Sequence, residues 1–200
     1  MMSDMTKREM IAASMQDGIA LRKKCSDLLP DELLASATLM VECLQNGGKI
    51  LACGNGGSAA DAQHFVAELV NRFEINRRAL AAISLTNDAS VMTSIANDFE
   101  FNSVFSRQVE ALGREGDVLL AITTSGSSAN VLKAVDVAKS LGVKVIALTG
   151  HDGGELAGRR DIDSHIHIPH ASTARVQEMH ITCLHILCTL VDETMFGGKL

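Results

Sequence analysis

His64 and Glu68 stand four residues apart in the segment KILACGNGGSAADAQHFVAELVNR, residues 49–72. On a helix that spacing puts both side chains on one face. An imidazole and a carboxylate there can move protons as general acid and base, or bind zinc through nitrogen and oxygen. Such a pair is often only a surface contact, but this one follows the turn Gly54-Asn55-Gly56-Gly57, with Ser58 as the expected helix N-cap. Free backbone N–H groups and a dipole worth about half a positive charge make such a helix start attractive to anions. Further donors lie near the C-terminus, at Gln177, Glu178, His180 and His185. His180 and His185 are five residues apart and point in different directions, so one of them faces a given site. Periodicity does not choose which.

A second turn, Thr123-Thr124-Ser125-Gly126-Ser127-Ser128, gathers five hydroxyls before another expected helix. With backbone N–H groups they can surround a phosphate without a lysine. Thr149-Gly150-His151-Asp152-Gly153-Gly154 makes a third turn, where glycine can simply supply turn freedom. Gly54, Gly56 and Ala59 fit a dinucleotide fingerprint loosely, but no acidic residue about 20 positions on ends a second strand; the candidate, Asp88, lies farther away. His165 and His167 share one face of a strand at a metal-capable spacing. Ile166 and Ile168 alternate with them and Pro169 follows, which reads as the wet face of an edge strand.

Alternating elements must position these groups. The pattern predicts helices over Lys7–Cys25 and from Pro30 to about Gln45. It predicts strands at Lys49–Cys53, Ala79–Leu85, Asp117–Ile122, Val143–Thr149 and, more exposed, Ser164–Ile168. Helices are expected at about Ala59–Phe73, Phe101–Leu112, Ala129–Leu141 and Ala174–Met195. This alternation implies an α/β fold with a mainly parallel sheet covered on both faces, which binds ligands beyond the carboxyl ends of its strands. The last helix is apolar around most of its circumference, so burial between subunits is expected for it and for the first 46 residues.

The 200 residues, 46% apolar and 21% charged, fit one domain. A formal charge of -6 without Lys/Arg clusters, and no Trp or Tyr, disfavour nucleic acid. Five cysteines without a C-x-x-C pair read as reduced, buried thiols. No apolar run is long enough to span a membrane, and the Met-Met-Ser-Asp start lacks signal-peptide features, so a cytoplasmic location is expected.

The segments CGNGGSAADAQHFVAEL, SIANDFEFN, GDVLLAITTSGSSANV, ALTGHDGGELAG and RVQEMHITCLH, in this order, resemble the phosphoheptose isomerases of the sugar-isomerase (SIS) domain superfamily, from about residue 30 to the C-terminus. The resemblance implies one SIS domain over residues 1–200, with a flavodoxin-like three-layer sandwich, a five-stranded parallel sheet, a helical N-terminal segment and a long C-terminal helix. It implies a homotetramer with one Zn2+ per subunit, converting sedoheptulose 7-phosphate to D-glycero-D-manno-heptose 7-phosphate through an enediol, the first step toward ADP-heptose and the lipopolysaccharide core. Carried over by position, it makes Glu68 and His185 catalytic, and His64, Glu68, Gln177 and His185 metal ligands. It assigns substrate contacts to Asn55, Gly56, Gly57, Glu68, Asn97, Asp98, Thr123, Thr124, Ser125, Ser128 and Gln177. It also selects His185 over His180.

Thr123 replaces the usual Ser, Ser127 a common Asn and Arg78 a frequent Pro, none of which touches the proposed chemistry. Gln177 and His185 are separated by about 12 Å of helical rise and an offset of roughly 80°, a tension for one shared ion. Glu68 would move the carbon-bound proton and His185 would service the oxygens, with zinc polarising the carbonyl. Glu68 cannot be a tight ligand and a free base at once. The alternative is a non-catalytic SIS-domain adaptor that binds the bacterial replication initiator; that type lacks the Glu and the last His. A sugar-phosphate sensor would need a DNA-binding module that this length does not accommodate.

Overall fold

Apolar runs pair into one parallel sheet in this computed structural model, which describes residues 6–197; the Met-Met-Ser-Asp start lies outside them. Ile50–Gly54 (β1), Ala82–Ser84 (β2), Val118–Thr123 (β3), Lys144–Gly150 (β4) and Ser164–Ile168 (β5) lie in the order β2-β1-β3-β4-β5, the flavodoxin-like arrangement. Their register sets Gly54 opposite Ile122 and Thr123 opposite Thr149. The three candidate turns therefore leave the sheet from the same edge, at the carboxyl ends of β1, β3 and β4.

Alternate residues of each strand feed two cores. Ile50, Ala52, Val118, Leu120, Ile122, Ile146 and Leu148 face one layer of helices, Lys7–Leu28 (α1), Pro30–Gln45 (α2), Gly57–Val70 (α3) and Thr173–Phe196 (α8). Leu51, Cys53, Leu119, Ala121, Val145 and Ala147 face the other layer, Ala89–Asp98 (α4), Ser106–Leu112 (α5), Ala129–Ser140 (α6) and the short Gly154–Ala157 (α7). Strands buried on both faces explain why they read as continuous apolar runs. All five cysteines are free and buried, and burial pushes the Cys53 and Cys183 thiols up to about 12. No helix among the described residues is long and apolar enough to cross a membrane.

Several boundaries differ from the sequence pattern. α3 starts at Gly57, because Gly56 in a left-handed conformation (φ 56°) takes the N-cap place expected of Ser58. It ends at Val70 rather than Phe73, and the residues from Asn71 to Ala81 form an irregular connection. The expected strand from Ala79 pairs only over Ala82–Ser84, since the Leu80 N–H donates to the Leu69 carbonyl at 3.0 Å instead. α4 was not predicted; its cap is Asp88, whose Oδ1 accepts from the Val91 N–H at 2.9 Å. The run Phe101–Leu112 divides into a 3₁₀ turn, Phe101–Ser103, and α5. β5 is an edge strand, but His165 and His167 are half-buried rather than wet. His165 Nε2 pairs with Thr149 Oγ1 at 2.7 Å, and His167 Nε2 donates to the His151 carbonyl at 3.0 Å.

Candidate active site

α3 and α8 lie side by side, and this brings His64, Glu68 and His185 together. His64 Nε2 is 3.0 Å from Glu68 Oε1 and 3.4 Å from His185 Nε2. Phe73, just beyond α3, stacks on the His185 ring with centroids 5.5 Å apart. The His64 and Glu68 side chains are 47% and 25% exposed, so the group opens to solvent. His180 points the other way: it is fully buried and its Nε2 donates to the Thr149 carbonyl at 3.1 Å.

The arrangement leaves one valence shared by two partners. An imidazole nitrogen carries either one hydrogen or one lone pair in its plane, yet His64 Nε2 faces both a carboxylate oxygen and another ring nitrogen. A proton on His64 Nε2 satisfies Glu68 and leaves His185 against an N–H. A cation in that position would satisfy all three. Two donors on one tetrahedral zinc stand about 3.3 Å apart, close to both separations. Among the described residues, no three His, Cys, Asp or Glu side chains are placed to hold a metal ion together. Two imidazoles and a carboxylate are nevertheless donor types that zinc takes.

Gln177 lies elsewhere along the same helix pair. Its amide packs over Gly57, where an added Cβ would come 2.4 Å from Nε2. Gly57 and His64 are separated by about 10 Å of helical rise. Within one chain, Gln177 thus stands at the glycine turn, and His64 and His185 stand two helical turns further on.

The hydroxyl turn is folded inward. Thr123 Oγ1 lies 2.9 Å from Ser128 Oγ and 3.3 Å from Ser125 Oγ. Ser128 occupies the N-cap of α6 but makes no side-chain cap hydrogen bond, so its hydroxyl leaves the first N–H groups of the helix uncapped. The third turn braces the second. The Gly150 N–H donates to the Thr124 carbonyl at 3.1 Å and the Glu155 N–H to Ser127 Oγ at 3.1 Å. Gly126, at φ 66°, sits so close to Gly153 that a Cβ would overlap its carbonyl.

Asn55 joins the first turn to the second. Its amide exchanges two 2.8 Å hydrogen bonds with Asn130 on α6. Its backbone carbonyl accepts from the Ser58 N–H at 3.0 Å, so Asn55 also closes the glycine turn. Asn97 and Asp98, at the end of α4, are exposed and bonded to each other at 2.8 Å. No hydrogen bond among the described residues joins them to the three turns.

Sequence reasoning missed Asn130, Phe73 and Asp61. Asp61 lies one turn before His64 on α3; its buried Oδ2 has no partner, and burial pushes its carboxyl up to about 6 against the pull of His64. The signal was available in the spacing Asp61, His64, Glu68, which follows one helical face. Asn130 carried no such signal, because its partner is 75 residues away.

The SIS domain family matches residues 15–150. A phosphoheptose isomerase from Neisseria meningitidis serogroup C is 50% identical over 194 residues, covering 96% of this chain and 98% of that protein. Another from Shewanella sediminis is 51% identical over 189 residues, 94% of this chain and 96% of its own length. The solved structure of the phosphoheptose isomerase from Neisseria gonorrhoeae superposes with a TM-score of 0.90 at 49% identity, covering 94% of this chain and 100% of that one. With sequence similarity running nearly end to end and the same fold, the chain belongs to the phosphoheptose isomerase family of SIS-domain proteins.

Proposed function

We infer that this chain isomerises sedoheptulose 7-phosphate to D-glycero-D-manno-heptose 7-phosphate through an enediol, the first step toward ADP-heptose and the lipopolysaccharide core. The observation that carries this reading is the approach of Glu68 and His185 to His64 across α3 and α8. Aldose–ketose exchange needs a base for the carbon-bound proton and a second group for the oxygens. Glu68 takes and returns the carbon proton, and His185 exchanges protons with the two oxygens. The hydroxyls of Thr123, Thr124, Ser125 and Ser128 hold the phosphate at the far end of the sugar, where binding energy serves positioning. The Asn55, Gly56 and Gly57 backbone, with Gln177 above it, borders the space between, and Asn97 and Asp98 would close over the sugar from α4.

His64, Glu68 and His185 would hold one zinc ion, with Gln177 as a fourth donor if its side chain swings down α8. When bound, zinc supplies Lewis-acid polarisation of the carbonyl. Glu68 would serve either as ligand or as base, since one carboxylate cannot do both at once. The adaptor alternative is disfavoured because Glu68 and His185 are both present. We also read the protein as a cytoplasmic homotetramer of single SIS domains. Support comes from exposed apolar residues on its outer helices, Met10, Ile11, Met15 and Ile19 on α1, Leu34 on α2 and Ile186 on α8.

The test is incubation with sedoheptulose 7-phosphate, with chelator, without it, and with zinc restored, followed by NMR of the products. Conversion to the aldose heptose phosphate is expected without chelator, and again on zinc restoration. No turnover under any condition would return the adaptor reading.

A further inference from the structure

The irregular connection after α3 carries a buried cation. The Arg77 side chain is 1% exposed, and its Nε donates to Asp192 Oδ1 on α8 at 2.5 Å. Nη2 donates to the Glu68 carbonyl at 2.9 Å, and Nη1 to the Leu69 and Arg78 carbonyls at 2.9 and 3.1 Å. Glu68 and Leu69 belong to the last turn of α3, where carbonyls lack partners within the helix and a cation is favoured. Asp192 follows His185 by seven residues, two turns along one face of α8. One planar guanidinium therefore grips the backbone of Glu68 and the helix that bears His185.

We propose that Arg77 is a positioning residue for the isomerisation: by tying the end of α3 to α8 it fixes the Glu68 carboxylate relative to His185. Stability alone accounts poorly for the pair. A buried ion pair gains little over apolar residues of similar volume, because both charges are desolvated. Here the arrangement is not even complete, since Asp192 Oδ2 is buried without a partner. Fixed geometry is what the pair supplies. Its fork reaches three directions in one plane, which a lysine ammonium does not reproduce.

The proposal rests on the isomerase reading for its kinetic test, and a second readout is independent of activity. Arg77→Met combined with Asp192→Leu removes the clamp and leaves no buried charge; Arg77→Lys keeps the charge and loses the fork. For folded protein, kcat is expected to fall about 10- to 100-fold, with KM for the sugar phosphate within about threefold, since the hydroxyl turn is untouched. The imidazole NMR signals of His64 and His185 should shift while those of His180 stay in place. If the double variant does not fold, Arg77→Lys decides by the same two readouts. Wild-type kcat with unshifted His64 and His185 signals in either folded variant would overturn the proposal. A wild-type protein without turnover would count against the isomerase reading only, because the imidazole signals still report the clamp.

Discussion

Gln177 on α8 lays its side-chain amide directly over Gly57, the first residue of α3; a Cβ at Gly57 would stand 2.4 Å from its Nε2 and 2.8 Å from its Oε1. The same two helices meet again at His64 and His185. Glycine at position 57 is thus a matter of close approach, not of backbone conformation.

Gly57→Ala should fold, because the atoms it meets end a flexible side chain. Displacing Gln177 should lower kcat/KM by about tenfold or more, a lost polar contact to a charged or reacting group. Gly54→Ala behaves differently. Its Cβ would lie 2.7 Å from the Ser58 carbonyl oxygen, backbone that cannot rotate away, so loss of the folded protein is expected. Expression, thermal melting and steady-state kinetics on the two variants distinguish these outcomes.

Ser128→Ala should act on binding. Its hydroxyl faces Thr123 Oγ1 and is not used as a helix cap, so removing it leaves α6 intact. KM for the sugar phosphate should rise about 10-fold or more with kcat little changed, the pattern of an interaction present equally in ground and transition states. A fall in kcat at constant KM would instead put the phosphate elsewhere.

The sheet and every long helix except α4 are legible because burial on both faces writes itself as apolar runs, as at Val118–Thr123, and helix faces repeat at fixed spacing. The glycine and hydroxyl turns were legible for a related reason: their residues are contiguous. Segments set by tertiary bonds were not. Ala79–Ala81 reads as strand, but its Leu80 amide is taken by α3. Phe73 reads as the end of a helix and residues 74–78 as a simple connection, yet Phe73 and Arg77 both reach α8. His180 and His185 are equivalent in periodicity, and only the packing of α8 sends the first to the Thr149 carbonyl and the second to His64.

His180 should make stability depend on pH. Its Nε2 hydrogen is committed to Thr149, its Nδ1 lone pair is buried without a partner, and burial pushes the ring from 6.5 down to about 4. Between those values the unfolded chain binds a proton that the folded chain does not. Stability should therefore fall as pH drops through that window, by roughly 1.4 kcal/mol per pH unit from this residue. Urea unfolding at pH 7.5 and 5 checks it. His180→Gln, which keeps a donor for Thr149 but does not titrate, should show a shallower dependence, and equal slopes would exclude His180 as the cause.

If Glu68 moves the carbon-bound proton, Glu68→Gln should lose turnover of sedoheptulose 7-phosphate, as followed by NMR beside wild type. The substitution keeps size and polarity and removes the base. A fall in kcat of about 10²- to 10⁴-fold, in protein that melts like wild type, is the predicted result. Folded Glu68→Gln with kcat within a few-fold of wild type would contradict the account.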